Sequence, residues 1–302
     1  MSRILISGAS GLIGSALVPS LESEGHDVVR LMRHRPKIAS ELQWNPTAPI
    51  SPTLVDGFDV VIHLSGENIA GRWTDQKKRR IRDSRVFSTD FLSQALAKSE
   101  KKPNTFICAS AIGYYGSRGD EALTEESLSG DGFFPEVCRE WEFATEPASD
   151  AGIRVVNLRT GIVLSRSGGA LRQMLLPFKL GLGGRIGDGR QYWSWIHIAD
   201  FISAVQHILC DVGGRASSPV HAPVNMVAPN PLTNAEFTRV LANVLKRPAL
   251  LPAPAFALRL VFGELADEGL LASARVVPKK LLESAFQFRF PELKSAFDDL
   301  LI

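Results

Sequence analysis

Residues 8–14 read Gly8-Ala9-Ser10-Gly11-Leu12-Ile13-Gly14, between a short apolar run, Arg3 to Ser7, and a stretch from Leu12 to Leu21 with apolar residues at helical spacing. That order predicts strand, tight turn, helix. The first glycine permits the turn, the second lets the backbone approach a pyrophosphate, and the third lets the helix pack closely on the strand. A helix opening there offers free amides and its positive dipole end to phosphates. Gly8, Ser10, Gly11, Leu12, Ile13 and Gly14 are accordingly read as a diphosphate cradle. Their Gly-x-x-Gly-x-x-Gly spacing departs from the common Gly-x-Gly-x-x-Gly form, so the reading rests on the strand-to-helix position rather than on the letters.

Working outward, Gly25 stops the first helix, and His26 to Met32 and Asp59 to Leu64 are further strand-like runs. Asp75 to Ser99 lacks Gly and Pro and reads as one long helix. Thr105 to Ala109 and Ile153 to Leu158 are strands, with a helix over Pro135 to Ala148 whose end is limited by Pro147. Strands alternating with helices imply an α/β fold, a Rossmann-like doubly wound parallel sheet. From Gly161 onward glycines punctuate a loop-rich region with Tyr192, Trp193 and Trp195, the kind of loop that wraps a site. Thr233-Asn-Ala-Glu236 is a capping box opening a helix through Lys246, and Pro248, Pro252 and Pro254 mark a linker. The expected organisation is a nucleotide-binding domain over 1–165, with later segments around 190–230 returning to it. A smaller, mostly helical substrate region covers 166–302 and includes a distinct C-terminal domain over 248–302.

Composition narrows the function. Hydrophobic residues make up 45% and charged residues 22%, which excludes a disordered chain. A formal net charge of +2 and the lack of a basic stripe interleaved with aromatics argue against nucleic acid as partner. The run Lys77 to Arg80 is read as a solvated helix face. Cys108, Cys138 and Cys210 have no zinc or disulfide spacing, so no metal is expected and a reducing compartment fits. No apolar run reaches membrane-spanning length, and a cytoplasmic protein with no membrane partner is expected. The expected partner is an unidentified small-molecule substrate, with a homodimer left open.

An NAD site usually places Asp or Glu at the end of the second strand, where the carboxylate accepts from the ribose hydroxyls. Here the strand ends in Arg33-His34-Arg35. Arg33 can pair with a 2′-phosphate that a carboxylate would repel, so NADP(H) is the expected coenzyme, unless these are merely exposed loop cations.

With these residues placed, the chain resembles the extended short-chain dehydrogenase/reductase superfamily, the NAD-dependent epimerase/dehydratase group. The resemblance rests on Gly8 to Gly14, Asp59-Val-Val-Ile-His-Leu64, Ser110 with Tyr115-Gly116, and Trp195-Ile-His-Ile-Ala-Asp200. A closer resemblance is to an atypical branch of epimerase family proteins, through Ser65-Gly66-Glu67-Asn68-Ile69, Ser84-Arg85, Ser110 to Gly116, Leu175 to Gly184 and the C-terminal Phe262 to Leu301. The resemblance implies that Gly8 to Gly14 embrace the pyrophosphate and Arg33 meets the adenosine phosphate. It likewise implies that Leu64 and Ser65 line the adenine and ribose side, that Arg85 approaches the coenzyme, and that Ile162 lies at the nicotinamide end. For Leu64 and Ile162, ordinary packing at the sheet end is the competing reading.

The superfamily's proton chemistry uses a Tyr-x-x-x-Lys pair in which lysine lowers the tyrosine pKa. Aligned on Glu142, the positions of that pair hold Phe134 and Cys138, and neither can substitute. Ser110, Tyr115, Tyr114 and Glu67 remain as candidate catalytic groups, with Asn68 able to orient a carbonyl. Packing with a satisfied hydroxyl is the alternative for the tyrosines. His197 is read as a local structural hydrogen-bonder, Asp200 as a cap of the next helix, and Glu125 and Glu126 as a solvated loop. Two functions follow: an NADP(H)-dependent oxidoreductase or epimerase-like enzyme on a small carbonyl or sugar-like substrate, or a non-catalytic NADP(H)-binding regulator.

Overall fold

A computed structural model of the chain describes residues 1–210 and 223–302. In chain order the first half contains β1 (Arg3–Ser7), α1 (Leu12–Ser23), β2 (Asp27–Met32), β3 (Glu41–Gln43), β4 (Val60–His63), α2 (Asp75–Lys98), β5 (Thr105–Ala111), β6 (Ala122–Leu123), α3 (Phe133–Phe143), α4 (Glu146–Asp150) and β7 (Arg154–Thr160). The second half adds β8 (Ile162–Leu164), α5 (Gly169–Lys179), β9 (Tyr192–Trp193), β10 (Trp195–His197), α6 (Ile198–Cys210), β11 (Val224–Met226), β12 (Leu232–Thr233) and α7 (Asn234–Leu245). Last come α8 (Ala255–Phe262), β13 (Arg275–Val276), α9 (Lys279–Glu283) and α10 (Leu293–Leu301).

Seven parallel strands form the main sheet in the order β11-β7-β5-β4-β1-β2-β3. The direction of winding reverses between β1 and β4, so their C-terminal ends leave a crevice. Successive side chains of a strand point to opposite faces. Ile4 and Ile6 therefore join Leu17, Val18 and Leu21 of α1 with Phe201 and Val205 of α6, while Leu5 joins Trp44, Leu92, Leu96 and Trp141 on the other face. A separate apolar cluster holds Trp193, Trp195, Phe237, Leu241, Leu293 and Phe297, away from the main sheet.

Several expectations change. Strand β3 was absent from the sequence reading because its three residues carry no usable periodicity. The helix expected over Pro135 to Ala148 is two helices: Pro147 sits in the first turn of α4, where a missing amide hydrogen breaks no bond. The loop-rich stretch after Gly161 contains α5, with Pro177 inside it. Asp200 lies within the first turn of α6, and its carboxylate accepts the amides of Arg289 and Phe290 at 2.8 and 2.9 Å, pinning the C-terminal region. Within the 190–230 segment, β11 pairs with β7 in the main sheet, whereas residues 211–222 lie outside the described residues. The Thr233 capping box is present. Strand β6 pairs with β13, so the C-terminal region is hydrogen-bonded to the loop after Ser110.

Candidate active site

Gly8 has φ +75, and a Cβ there would lie 2.7 to 2.9 Å from the backbone of Leu64 and Ser65. A Cβ on Gly14 would run into the Gly8 carbonyl and the Ala9 backbone. Both glycines thus hold the end of β1, the end of β4 and the start of α1 closer than any side chain allows. No side chain caps the N-terminus of α1, and no acid stands in its first turn, so its dipole faces outward uncompensated. A groove of about 460 Å³ opens there, lined by Gly8, Ser10, Gly11, Arg33, Leu64 and Ser65 among others. The Arg33 side chain is exposed at its rim and makes no hydrogen bond or ion pair with the described residues. A dinucleotide diphosphate and a 2′-phosphate fit this donor set. Leu12, Ile13 and Gly14 sit behind the groove in the first turn of α1 rather than along its wall.

Beneath the groove, His63 is fully buried, with Nδ1 2.6 Å from the Ser7 hydroxyl and Nε2 3.1 Å from that of Ser88. Burial pushes its pKa down to about 3, so it is neutral and ties β1, β4 and α2 together.

A second cavity, about 300 Å³, adjoins the groove where Asn68 passes to Ile69 and Ser84 to Arg85. Ser110, Phe134, Cys138, Trp141, Ile162 and Tyr192 are among its walls. Arg85 stands at the junction, donating to the carbonyls of Ile81 (3.0 Å) and Glu67 (3.1 Å), with its guanidinium 5.1 Å from the Trp141 ring. Burial lowers its pKa from the ordinary guanidinium value.

Ser110 Oγ donates to Glu142 Oε1 at 2.6 Å, and Glu142 receives both a 2.8 Å bond from Arg159 Nε and one from Nη2. Arg159 Nη1 also donates to the Tyr115 hydroxyl (3.0 Å), which donates to Asn225 Oδ1 (2.7 Å). This buried, bidentate pair was missed in the sequence. The available signal was weak: Arg159 is one of two arginines in β7, and a cation buried in a sheet needs a partner.

Of the four catalytic candidates, Ser110, Tyr114 and Tyr115 gather round the Arg159–Glu142 pair, whereas Glu67 stands apart. Ser110 reaches the cavity. Tyr115 is fully buried, lines no part of it, and burial pushes its hydroxyl up to about 12. Tyr114 stacks under Arg159, whose guanidinium lies 3.5 Å from the ring centre. Glu67 belongs to the groove, where a 2.7 Å bond from Lys77 holds its carboxyl below the usual carboxylate range. Asn68 also lines the groove and accepts the Ala70 amide. Phe134 and Cys138 both line the cavity, and burial raises the Cys138 thiol to about 12, leaving no counterpart of the Tyr-Lys pair there.

Glu125 is not solvated: it is 6% exposed, accepts the amides of Asn225 (3.0 Å) and Lys280 (3.3 Å), and has a pKa raised by burial. Glu126 is exposed and bonds Lys279 at 2.7 Å. Lys77 and Lys78 are half-buried and paired with Glu67 and Glu264, so that run is only partly a solvated face. His197 Nδ1 accepts the Ala199 amide, and its pKa is lowered by burial.

Against known proteins, the pattern of the NAD dependent epimerase/dehydratase family matches residues 4–217. The chain belongs to this family. A domain of unknown function, DUF1731, matches residues 253–300 of this epimerase/dehydratase family member. Epimerase family protein Mb2239 of Mycobacterium bovis is 44% identical over 94% of this chain and 93% of its own length. The crystal structure of the human epimerase family protein SDR39U1 (isoform 2) with NADPH superposes with a TM-score of 0.89 at 34% identity, over 99% of this chain and 98% of that one. That of the nucleoside-diphosphate sugar epimerase from Corynebacterium glutamicum gives 0.79 at 39% identity, over 99% and 58%. Among the described residues no helix is long and apolar enough to cross a membrane.

Proposed function

We propose that this family member is an NADP(H)-dependent oxidoreductase acting on a small carbonyl substrate or the corresponding alcohol. The observation that carries the reading is the junction at Arg85, where a groove built for a phosphorylated dinucleotide meets a cavity holding the Ser110–Glu142 pair. The human relative crystallised with NADPH supports the choice of coenzyme. Gly8, Ser10, Gly11, Leu12, Ile13 and Gly14 hold the diphosphate, Arg33 the 2′-phosphate, Leu64 and Ser65 the adenosine side, and Arg85 and Ile162 the nicotinamide half. When bound there, the coenzyme would supply the hydride chemistry at the substrate carbon.

Ser110 and Glu142 handle the proton. When an alcohol is oxidised, its proton moves to Ser110 Oγ as the serine's own proton moves onto Glu142; reduction runs the same relay backward. Arg159 keeps the Glu142 carboxylate aimed at Ser110. The free thiols of Cys108, Cys138 and Cys210 suit the reducing cytoplasm. Two measurements test the reading: calorimetric titration with NADPH and NADH, and oxidation of NADPH by a broad panel of carbonyl compounds. NADPH binding without turnover of any compound would favour a coenzyme-binding regulator instead.

A further inference from the structure

We propose, building on the oxidoreductase reading above, that the cavity selects a compact, uncharged, apolar carbonyl compound and excludes nucleoside-diphosphate sugars. Its apolar walls include Ile69, Ile81, Phe134, Val137, Trp141 and Trp193, side chains brought together from well-separated stretches of the chain. Such walls favour a ligand that gives up little hydration on entry.

The polar atoms around them are already engaged. Ser194 Oγ donates to the Ala274 carbonyl (2.8 Å) and accepts the Val276 amide (2.9 Å), and Thr160 Oγ1 donates to the Leu158 carbonyl at 3.0 Å. Glu268 turns both carboxylate oxygens onto the amides of Phe133 and Phe134, each at 3.2 Å, at the start of α3. Among the described residues Arg85 is the one cation lining the cavity, and it borders the groove. A diphosphate placed here would lose its water, meet Glu268 and the carboxylate behind Ser110, and find a single guanidinium already bonded to two carbonyls. Uncompensated burial of that kind is strongly unfavourable.

Apart from Arg85 at the groove side, which keeps N–H donors beyond the two it uses, two polar groups retain capacity toward a ligand. Ser110 Oγ donates to Glu142, which leaves its lone pairs to accept from an alcohol. The Tyr192 hydroxyl makes no hydrogen bond with the described residues, although its residue lines the cavity. Two such groups match one substrate oxygen and nothing more. Tyr192 is then a specificity-determining contact, supplied by β9 rather than by the helix that carries Phe134 and Cys138.

The test uses full-length protein saturated with NADP+, probed with 1-tetralone and with UDP-glucose by ligand-observed NMR and calorimetry, alongside NADPH oxidation by 1-tetralone and NADP+ reduction by UDP-glucose. Saturable tetralone binding is expected, weakened about tenfold or more by Ile69→Asp, which puts a charge in the apolar wall at the partly exposed mouth. Tyr192→Phe is expected to weaken it about fivefold with NADPH affinity unchanged. UDP-glucose is expected not to bind. UDP-glucose binding as tightly as tetralone, no tetralone binding, or tetralone binding indifferent to Ile69→Asp would each overturn the selection argued here. UDP-glucose turnover would overturn it while leaving the oxidoreductase reading intact. Tetralone bound in the cavity while no carbonyl of the panel oxidises NADPH would uphold the selection and remove the oxidoreductase reading.

Discussion

Along one edge of the main sheet, the glycine groove takes most of its lining from the C-terminal ends of β1 to β4 and the residues just after them, whereas the cavity beside it gathers Ser110, Phe134, Ile162, Trp193 and Glu268 from widely separated stretches. The groove works through backbone: amides, a dipole and the absence of two Cβ atoms. The cavity works through side chains delivered by tertiary packing. Backbone chemistry tolerates most substitutions outside its glycines, so the groove can persist while the neighbouring cavity is rewritten. Phe134 and Cys138 are such a rewriting, since they change the chemistry without disturbing the helix that carries them.

The largest expected break in this contrast is at Ser110. Ser110→Ala should lower kcat about 10²- to 10⁴-fold with NADPH affinity unchanged, as calorimetry and steady-state kinetics together would show. A parallel loss of coenzyme binding would mean that groove and cavity are not separable.

His63, under the groove, gives a pH signature. Its folded pKa, about 3, is below the ordinary 6.5, so the fold excludes the proton that the unfolded chain takes up. Stability is therefore full above pH 6.5 and lost as pH falls from there toward 3, at about 1.4 kcal/mol per pH unit. Urea midpoints at pH 7 and pH 4 should differ less in His63→Gln, which keeps a hydrogen-bonding side chain without titrating. Equal slopes in both proteins would remove His63 from the account.

Gly14→Ala should weaken NADPH about 100-fold, because its Cβ collides with the Gly8 carbonyl and forces β1 from α1. The same variant should leave tetralone binding to the coenzyme-free cavity within about twofold of its starting value. Arg33→Ala should weaken NADPH about 10- to 30-fold and NADH hardly at all, the loss of one charge-assisted contact. Equal losses would mean that Arg33 does not read the 2′-phosphate.

The smallest effect concerns Glu125, which lines neither the groove nor the cavity. Its raised pKa means that the fold disfavours the carboxylate, so stability drops as pH climbs from 4.5 through the raised value. Glu125→Gln retains an acceptor for the Asn225 and Lys280 amides. It should raise Tm by a few degrees at pH 8, an effect of about 1 kcal/mol, with no gain at pH 4.

Much of the fold was legible because its signals are local. Arg3 to Ser7, the glycine turn and the long helix from Asp75 each announce themselves within a dozen residues or so, and the Thr233 capping box is a four-residue pattern. Strand β3 and helix α5 were hidden for the complementary reason: one is too short for periodicity, and the other is interrupted by Pro177 and flanked by glycines. At the site, the loss of the Tyr-Lys pair was readable from Phe134 and Cys138. The partner of Ser110 was not, because Glu142 lies 32 positions away and Arg159 a further 17.

By itself the sequence determined the parallel α/β architecture, the glycine cradle and the arginine at the end of the second strand, since each depends on spacing along the chain. Only the tertiary structure decided that Tyr115 is buried structure, that Glu67 belongs with Lys77, that Glu125 is a buried tie, and that Ser110 is backed by Glu142 and Arg159. Spacing fixes the path of the backbone, but a side chain's protonation and reach depend on neighbours and on exclusion of water, which are settled when distant segments pack.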